Sequence, residues 1–173
     1  MKTLVIHPFD VTTGFLTVIY ERHKDWTVID TNVSARYLAI QIEKHNRIVM
    51  LGHGDVNGLY GYGRMIIDSE LVYLLRTKDC VCVWCNADAF VEKYGLKGFY
   101  TGMIISDYEE ALMYAITPKD NNIYNSNVLF AEAVRRSIDS VNMLEEVSSY
   151  YIDVANPIIE FNKENLYSTV ISS

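Results

Sequence analysis

The sequence predicts an α/β protein, a three-layer α/β/α sandwich with a mainly parallel sheet and additional C-terminal helices. Short apolar segments alternate with amphipathic helical segments over roughly the first 116 residues, as in successive strand–helix units. Two apolar segments, residues 48–51 and 81–84, lack the polar alternation of a half-exposed strand, which is typical of parallel strands buried on both faces. A chain of 173 residues, half of them apolar, is long enough to form one such domain.

The first part of the chain contains three predicted strands, each an apolar run that ends at polar or turn-forming residues. They are residues 4–6, 26–29 and 48–51. Thr12 or Thr13 can cap a helix that continues to about residue 24, and Ser34 can cap a second helix that closes at residues 44–46. Helical segments therefore connect these strands, as parallel pairing requires.

The alternation continues beyond the third strand. The predicted elements are a turn and short hairpin at residues 55–63, helices at 69–75, 89–94 and 108–116, and strands at 81–84 and 99–105. Residues 1–118 form the predicted sheet domain, and residues 119–173 form a helical C-terminal extension packed on the same domain. In this extension, Ser126 can cap a helix of residues 127–142, and residues 143–151 form a further helix.

Composition argues against several functional classes. A net charge of −7 and a pI near 5.0 disfavour binding to a nucleic acid polymer, which needs a clustered basic surface. No apolar run approaches the ~18–20 residues that cross a membrane, so we expect no membrane partner and a cytoplasmic location. Cys80, Cys82 and Cys85 lack a second Cys/His pair at ligand spacing, so we expect reduced thiols, no metal and no cofactor. The C-terminal helices are amphipathic, so their apolar faces can pack against a second copy of the chain, and a homodimer is one expected partner arrangement.

The polar residues of most chemical interest follow the predicted strands. Ligands bind beyond the carboxyl ends of parallel strands, and here these ends carry His7, His53, Cys85 and Ser106. A Cys–His pair can act as nucleophile and general base, because imidazole accepts the thiol proton and the thiolate attacks a carbonyl carbon. The backbone N–H groups of Gly54 and Cys85 can donate to the developing oxyanion. The strand ends therefore predict a candidate catalytic site of His53, Gly54 and Cys85.

The order of motifs around these residues resembles that of a known family. An apolar strand, His53-Gly54, a polar turn, Gly-Leu-Tyr-Gly at residues 58–61, a helix, and an apolar strand ending in Cys85 resemble the catalytic half of the caspase-like cysteine peptidases. The resemblance covers roughly residues 40–116. It implies a caspase-like fold and a peptide substrate. It also implies His53 as general base, Cys85 as nucleophile, and the Gly54 and Cys85 amides as the oxyanion hole.

Two departures from that family favour a different function. Trp84 stands where the family has a small residue, and Asn86-Ala87 replaces a glycine-bearing turn. A caspase-like or flavodoxin-like sheet without a catalytic cysteine can hold a small ligand, such as a nucleotide-derived signal, with helix amides receiving an anion. Such a binding or sequestering protein suits a phage or mobile-element origin, whereas a scaffold acting through its C-terminal helices is a third alternative. The candidate ligand contacts are His7, Thr12, Thr13, Asn57, Arg64, Asn86 and Ser106.

Overall fold

The computed structural model describes residues 1–169 and confirms the predicted α/β class, with helices on both sides of a mainly parallel six-stranded sheet. A second sheet contains three antiparallel strands. The strands are β1 (Thr3–Ile6), β2 (Thr27–Ile29), β3 (Arg47–Leu51), β4 (His53–Asp55), β5 (Gly58–Gly61), β6 (Arg64–Ile67), β7 (Asp79–Val83), β8 (Lys97–Thr101) and β9 (Leu166–Thr169). The helices are a 3₁₀ helix (Val11–Ile19), α1 (Ala35–Lys44), α2 (Val72–Leu75), α3 (Ala87–Tyr94), α4 (Tyr108–Met113), α5 (Asn122–Ser137), α6 (Met143–Tyr150) and α7 (Pro157–Lys163).

The large sheet has the strand order β2-β1-β3-β7-β8-β9. Its first five strands pair in parallel, and β9 runs antiparallel to β8. The register aligns Ile6 with Met50, and Met50 with Cys82. Because β3 and β7 are parallel neighbours, the residues that follow them, including His53 and Cys85, emerge at the same edge of the sheet.

Side chains of the central strands alternate between two apolar cores, one on each face of the sheet. Cys80, Cys82 and Trp84 belong to the core that is closed by α1, α2 and α3. Val81 and Val83 belong to the other core, which contains side chains of the 3₁₀ helix, α5 and α6. Both cores explain why the strand at residues 81–84 is wholly apolar, since each of its faces is buried.

The small sheet directly follows β3 and carries His53. The predicted hairpin at residues 59–63 is present as β5 and its turn into β6. The sequence did not predict β4, in which His53 pairs with Tyr60 and Gly54 pairs with Leu59. His53 is therefore held in an antiparallel ladder instead of a free loop after the third strand.

The helix predicted from Thr12 or Thr13 to about residue 24 is wrong in type and extent. It is a 3₁₀ helix that ends at Ile19, and its cap is Asp10, whose side chain accepts a hydrogen bond from the Thr12 backbone N–H. β-Branched residues and Gly14 dominate this segment, and both lower the propensity for a long α-helix.

The predicted cap at Ser126 is also wrong. Helix α5 begins five residues earlier than predicted, after Asn121, whose backbone is left-handed at φ 63°. Ser126 is fully buried inside the helix, and its hydroxyl hydrogen-bonds the Tyr151 hydroxyl at 2.6 Å. A serine can bond another side chain within a packed helix as well as cap one, and sequence alone does not distinguish these roles.

The C-terminal extension packs on the sheet domain, as Phe130 and Val134 of α5 lie in the second core. The prediction of a purely helical extension needs a correction, because it also contributes β9 to the large sheet. β9 pairs with β8 through Gly98 and Thr169, which are 71 residues apart in sequence. The last four residues of the predicted extension, 170–173, lie outside the described part of the chain.

Candidate functional site

His53 and Cys85 line one narrow pocket at the carboxyl ends of β3 and β7. The cavity measures about 30 Å³, enough to hold a water molecule but not a peptide side chain. The 3₁₀ helix, the junctions after β3 and β7, and the segment after β8 all contribute to its wall. Other lining residues include Thr13, Gly52, Ile104, Ser106, Glu110 and Phe130.

The His53 ring is anchored on one side by a chain of polar groups. Its Nε2 lies 2.6 Å from Thr12 Oγ1, and the Thr12 hydroxyl donates to Asp10 Oδ1 at 2.6 Å. The Asp10 carboxylate itself lies 3.7 Å from Nε2. Hydrogen bonds from Thr12 lower the pKa of Asp10, so this carboxylate is ionised at neutral pH. The His53 side chain is 47% exposed, and solvent can reach it.

Cys85 is a partly buried thiol that hydrogen-bonds a backbone carbonyl of the same pocket. Its Sγ donates to the Ile104 carbonyl at 3.6 Å. Burial raises the pKa of the Cys85 thiol to about 11, and the carboxylates of Glu110 and Asp107 add to this effect. The thiol is therefore neutral at pH 7 in the resting protein.

Trp84 is one of the residues that line this pocket, and its side chain belongs to the core on the other face of the sheet from Val83 and Phe130. It is 2% exposed and lies in the first core, where its Nε1–H donates to the Asp55 carbonyl at 3.0 Å. The ring lies against Gly54, where an added Cβ would sit 2.7 Å from Trp84 Cγ. Both the tryptophan ring and the Gly58 carbonyl leave no room for a side chain at residue 54. Trp84 also holds β4, the strand that carries His53, through its hydrogen bond to Asp55.

Comparisons of the sequence with family models and with curated proteins found no match. Within residues 1–169, no group of three or more His, Cys, Asp or Glu side chains is placed to hold a metal ion. In the same range, no helix is both long enough and apolar enough to cross a bilayer.

The structure brings some of the predicted ligand contacts to this pocket. Thr13 and Ser106 line it, and Thr12 lies beside it through its contact with His53. His7 lies behind Thr13, is 2% exposed, and hydrogen-bonds the Thr13 hydroxyl at 3.1 Å. Burial lowers the pKa of His7 to about 4. Its neutral ring fastens the 3₁₀ helix to the end of β1.

The other three predicted contacts, Asn57, Arg64 and Asn86, are not part of this pocket's lining. Asn57 lies in the β4–β5 turn, where its N–H donates to Asp55 Oδ1. The Arg64 guanidinium donates to the Val33 carbonyl at 2.5 Å and so joins the small sheet to the loop after β2. Asn86 precedes α3 with φ 64°, a left-handed conformation that asparagine tolerates. Each makes local contacts that shape a turn or a loop.

Two carboxylates of the site, Asp10 and Glu110, were missed by sequence reasoning. Glu110 accepts hydrogen bonds from the Ser106 N–H at 2.7 Å and from its hydroxyl at 3.1 Å. It also forms a capping box with Asp107, and this Asp-x-x-Glu spacing is recognisable in the sequence. Asp10 is two residues before Thr12, a spacing that suits a cap, but nothing local shows that this cap faces His53.

Proposed function

We propose that the protein is a cysteine hydrolase of peptide bonds, similar in design to the caspase-like peptidases, with Cys85 as nucleophile and His53 as general base. The observation that carries this proposal is the shared pocket, since both side chains line one cavity at the ends of neighbouring parallel strands. A nucleophile and a base facing one space are the minimum that acyl transfer through cysteine requires.

The hydrogen bonds of Thr12 support His53 as the base. The Thr12 hydroxyl hydrogen is used on Asp10, so Nε2 of the ring must donate to Thr12 Oγ1. Nδ1 is then the unprotonated nitrogen of the neutral ring and can accept a proton. Once protonated, the ring carries a positive charge, which the nearby Asp10 carboxylate stabilises.

The neutral thiol of Cys85 favours a reaction in which proton transfer accompanies attack. Nδ1 of His53 removes the thiol proton as Sγ bonds to the substrate carbonyl carbon, and the backbone N–H of Cys85 receives the oxyanion. Gly54, the second donor predicted from the sequence, does not line this pocket. The C–N bond then breaks, and the proton passes from His53 to the leaving amine. Water, deprotonated by the same ring, hydrolyses the thioester and frees the thiol.

Covalent labelling by peptidyl acyloxymethyl ketones tests this proposal. These probes place a ketone at the position of the scissile carbonyl. The cysteine sulfur displaces the carboxylate leaving group from the adjacent methylene carbon, which leaves a thioether on a catalytic cysteine. We expect intact-mass and peptide mass spectrometry to find one adduct, on Cys85, with Cys80 and Cys82 unmodified because both are buried. His53→Ala should slow labelling by about 100-fold or more, the usual contribution of a general base.

A remote histidine provides the matched control. His23 stacks on Trp26 and does not line the pocket, so His23→Ala should label at the rate of the unmodified protein. The labelling rate of Thr12→Val should lie between those of His53→Ala and the unmodified protein, because this variant keeps the His53 ring but removes the hydroxyl that orients it. Equal labelling rates for His53→Ala and the unmodified protein would exclude His53 as the base.

The pH dependence of simple alkylation is a second prediction. Iodoacetamide reacts with the thiolate, and burial raises the pKa of Cys85 to about 11. Because the group is neutral below its pKa, the labelling rate should rise about tenfold per pH unit from pH 7 to 10. Quenched time points analysed by mass spectrometry give the rate at Cys85. A plateau below pH 9 would reveal a basic partner that ionises the thiol, contrary to the neutral resting thiol inferred above.

Small-ligand capture is the second candidate function, favoured by the same buried, neutral thiol. Glu110 lines the pocket and Asp10 lies beside His53, so the site suits a neutral or cationic group better than a phosphate. Absence of any probe adduct, together with a thermal shift on adding an uncharged nucleoside but not the corresponding nucleotide, would replace the hydrolase with this function. A ligand at 100 times its dissociation constant adds ~2.7 kcal/mol of stability.

A further inference from the structure

Two further pockets lie on either side of a pair of exposed rings, Phe9 and Tyr62. The Asp10 pocket, of about 360 Å³, is lined by both rings together with Asp10, His53 and Tyr60. The Asp30 pocket, of about 410 Å³, is lined by the same two rings with Asp30, Thr31 and Asn32. His53 also lines the pocket of Cys85, so the Asp10 pocket adjoins the proposed site of bond cleavage.

Tyr62 occupies a position that turn geometry does not favour for tyrosine. It forms, with Gly63, the two-residue turn between β5 and β6, and the two residues have φ values of 53° and 75°. A hairpin turn with two positive φ values selects asparagine, aspartate or glycine, because bulky side chains are strained there. The Tyr62 hydroxyl donates to the Asp30 carbonyl and accepts from the Phe9 N–H at 3.1 Å. The strained residue thus supplies the wall that both pockets share.

The chemistry of these pockets matches a cation. Phe9 is 68% exposed and Tyr62 is 40% exposed, so ring surface is available for stacking. Each pocket includes one carboxylate, Asp10 or Asp30, and neither lining contains lysine or arginine. A guanidinium or ammonium group over an aromatic ring and near a carboxylate is bound by both, whereas an acidic group is repelled.

We propose that the Asp10 pocket binds the basic side chain of a peptide arginine, and that Asp30, across the shared rings, adds to the negative potential of this surface. The planar guanidinium stacks on the Phe9 and Tyr62 rings, and its edge reaches the Asp10 carboxylate, a geometry that a compact ammonium matches less well. The link to cleavage rests on the proposed function. Because His53 lines both the Asp10 pocket and the pocket of Cys85, the basic residue lies next to the scissile bond, and the hydrolase acts on peptides that carry arginine there.

Binding to the Cys85→Ser variant, which removes the nucleophilic thiol, tests this proposal without catalysis. The probes are fluorescein-labelled Ala-Ala-Arg-Ala and its citrulline counterpart, which keeps the shape of arginine but lacks its charge. Fluorescence anisotropy should give about 10-fold tighter binding for the arginine peptide. Equal affinities, or no binding of either peptide up to ~1 mM, would overturn the proposal.

Variants of Tyr62 in the same background separate the ring from the fold. Tyr62→Asn places a favoured residue in the turn, which offsets the loss of the two hydrogen bonds of the hydroxyl, so the variant should stay folded, yet it should lose the arginine preference. Tyr62→Phe keeps the ring and should retain the preference. Tyr73→Asn removes an exposed ring on α2 and serves as the control, with binding unchanged. Retention of the preference in a folded Tyr62→Asn variant would contradict the proposal.

Variants that remove a carboxylate test the contribution of charge to arginine binding. Asp30→Asn should weaken binding of the arginine peptide and leave the citrulline peptide unaffected, whereas Asp25→Asn, an exposed carboxylate outside both linings, should change neither. Arginine-selective binding without any probe adduct on Cys85 would contradict the proposed hydrolase function and support the proposed arginine site. Probe labelling of Cys85 with equal binding of the two peptides would support the hydrolase function and contradict the arginine site.

Discussion

Trp84→Ala is expected to destabilise the protein by about 3–5 kcal/mol, the usual cost of truncating a buried tryptophan. The ring is 2% exposed and packs edge-on against Phe90, with centroids 5.7 Å apart. Its Nε1–H also donates to the Asp55 carbonyl of β4, so the variant leaves that group without its partner. Urea unfolding followed by circular dichroism gives the free energy of unfolding for both proteins.

Trp84→Phe is the matched control for this experiment. It keeps an aromatic ring in the core but loses the N–H donor and some volume, so it should cost clearly less, with the lost hydrogen bond alone worth ~1 kcal/mol. A loss below ~1 kcal/mol for Trp84→Ala would contradict the packing described for this residue. Because Trp84 lies directly beneath Gly54, we also expect Trp84→Ala to loosen His53 and lower the rate of probe labelling at Cys85.

Gly98→Ala is expected to have a comparably large effect on stability. Gly98 lies in β8 with φ 127°, a conformation that side chains rarely adopt. An added Cβ would lie 2.9 Å from the backbone N and C of Cys80 in β7, and closer still to its carbonyl oxygen. Backbone strain of ~1–3 kcal/mol and a steric clash of similar size predict a loss of about 2–6 kcal/mol. The same urea experiment measures it.

Gly14→Ala provides the contrasting control. Nothing lies within 4 Å of a Cβ added at Gly14, which sits in the 3₁₀ helix. The alanine should leave stability unchanged or raise it by up to ~1 kcal/mol, because it restricts the unfolded chain. Gly98→Ala as stable as Gly14→Ala would show that β7 and β8 are further apart than the structure indicates.

The fold class and the general position of the site were predictable from sequence because they depend on local apolar patterns. Strands β3 and β7 are buried on both faces, so their sequences contain no polar alternation to obscure them. The change from apolar to polar residues also marks the ends of these strands in the sequence. This is why His53 and Cys85 could be placed at one edge of the sheet. Ser34 was also recognisable, and its side chain caps α1 as expected.

The remaining features depend on contacts that no local pattern encodes. β4 contains only His53, Gly54 and Asp55, which have no strand signal, and it forms because β5 offers a partner. The contact between Thr12 and His53 joins residues 41 positions apart. The raised pKa of Cys85 comes first from its burial and then from neighbours distant in sequence. Whether a strand-end cysteine is ionised is therefore decided by packing, which the motif alone does not reveal.

The position of β9 bears on how the protein is made in the cell. Thr169, which bonds the Gly98 N–H, is synthesised 71 residues after it. At ~5–20 residues per second, the outer edge of β8 lacks its partner for roughly 4–14 s of translation. An unpaired strand edge is a template for pairing with other chains. The yield of folded protein during expression should therefore depend on how well chaperones shield this edge until residues 166–169 have left the ribosome.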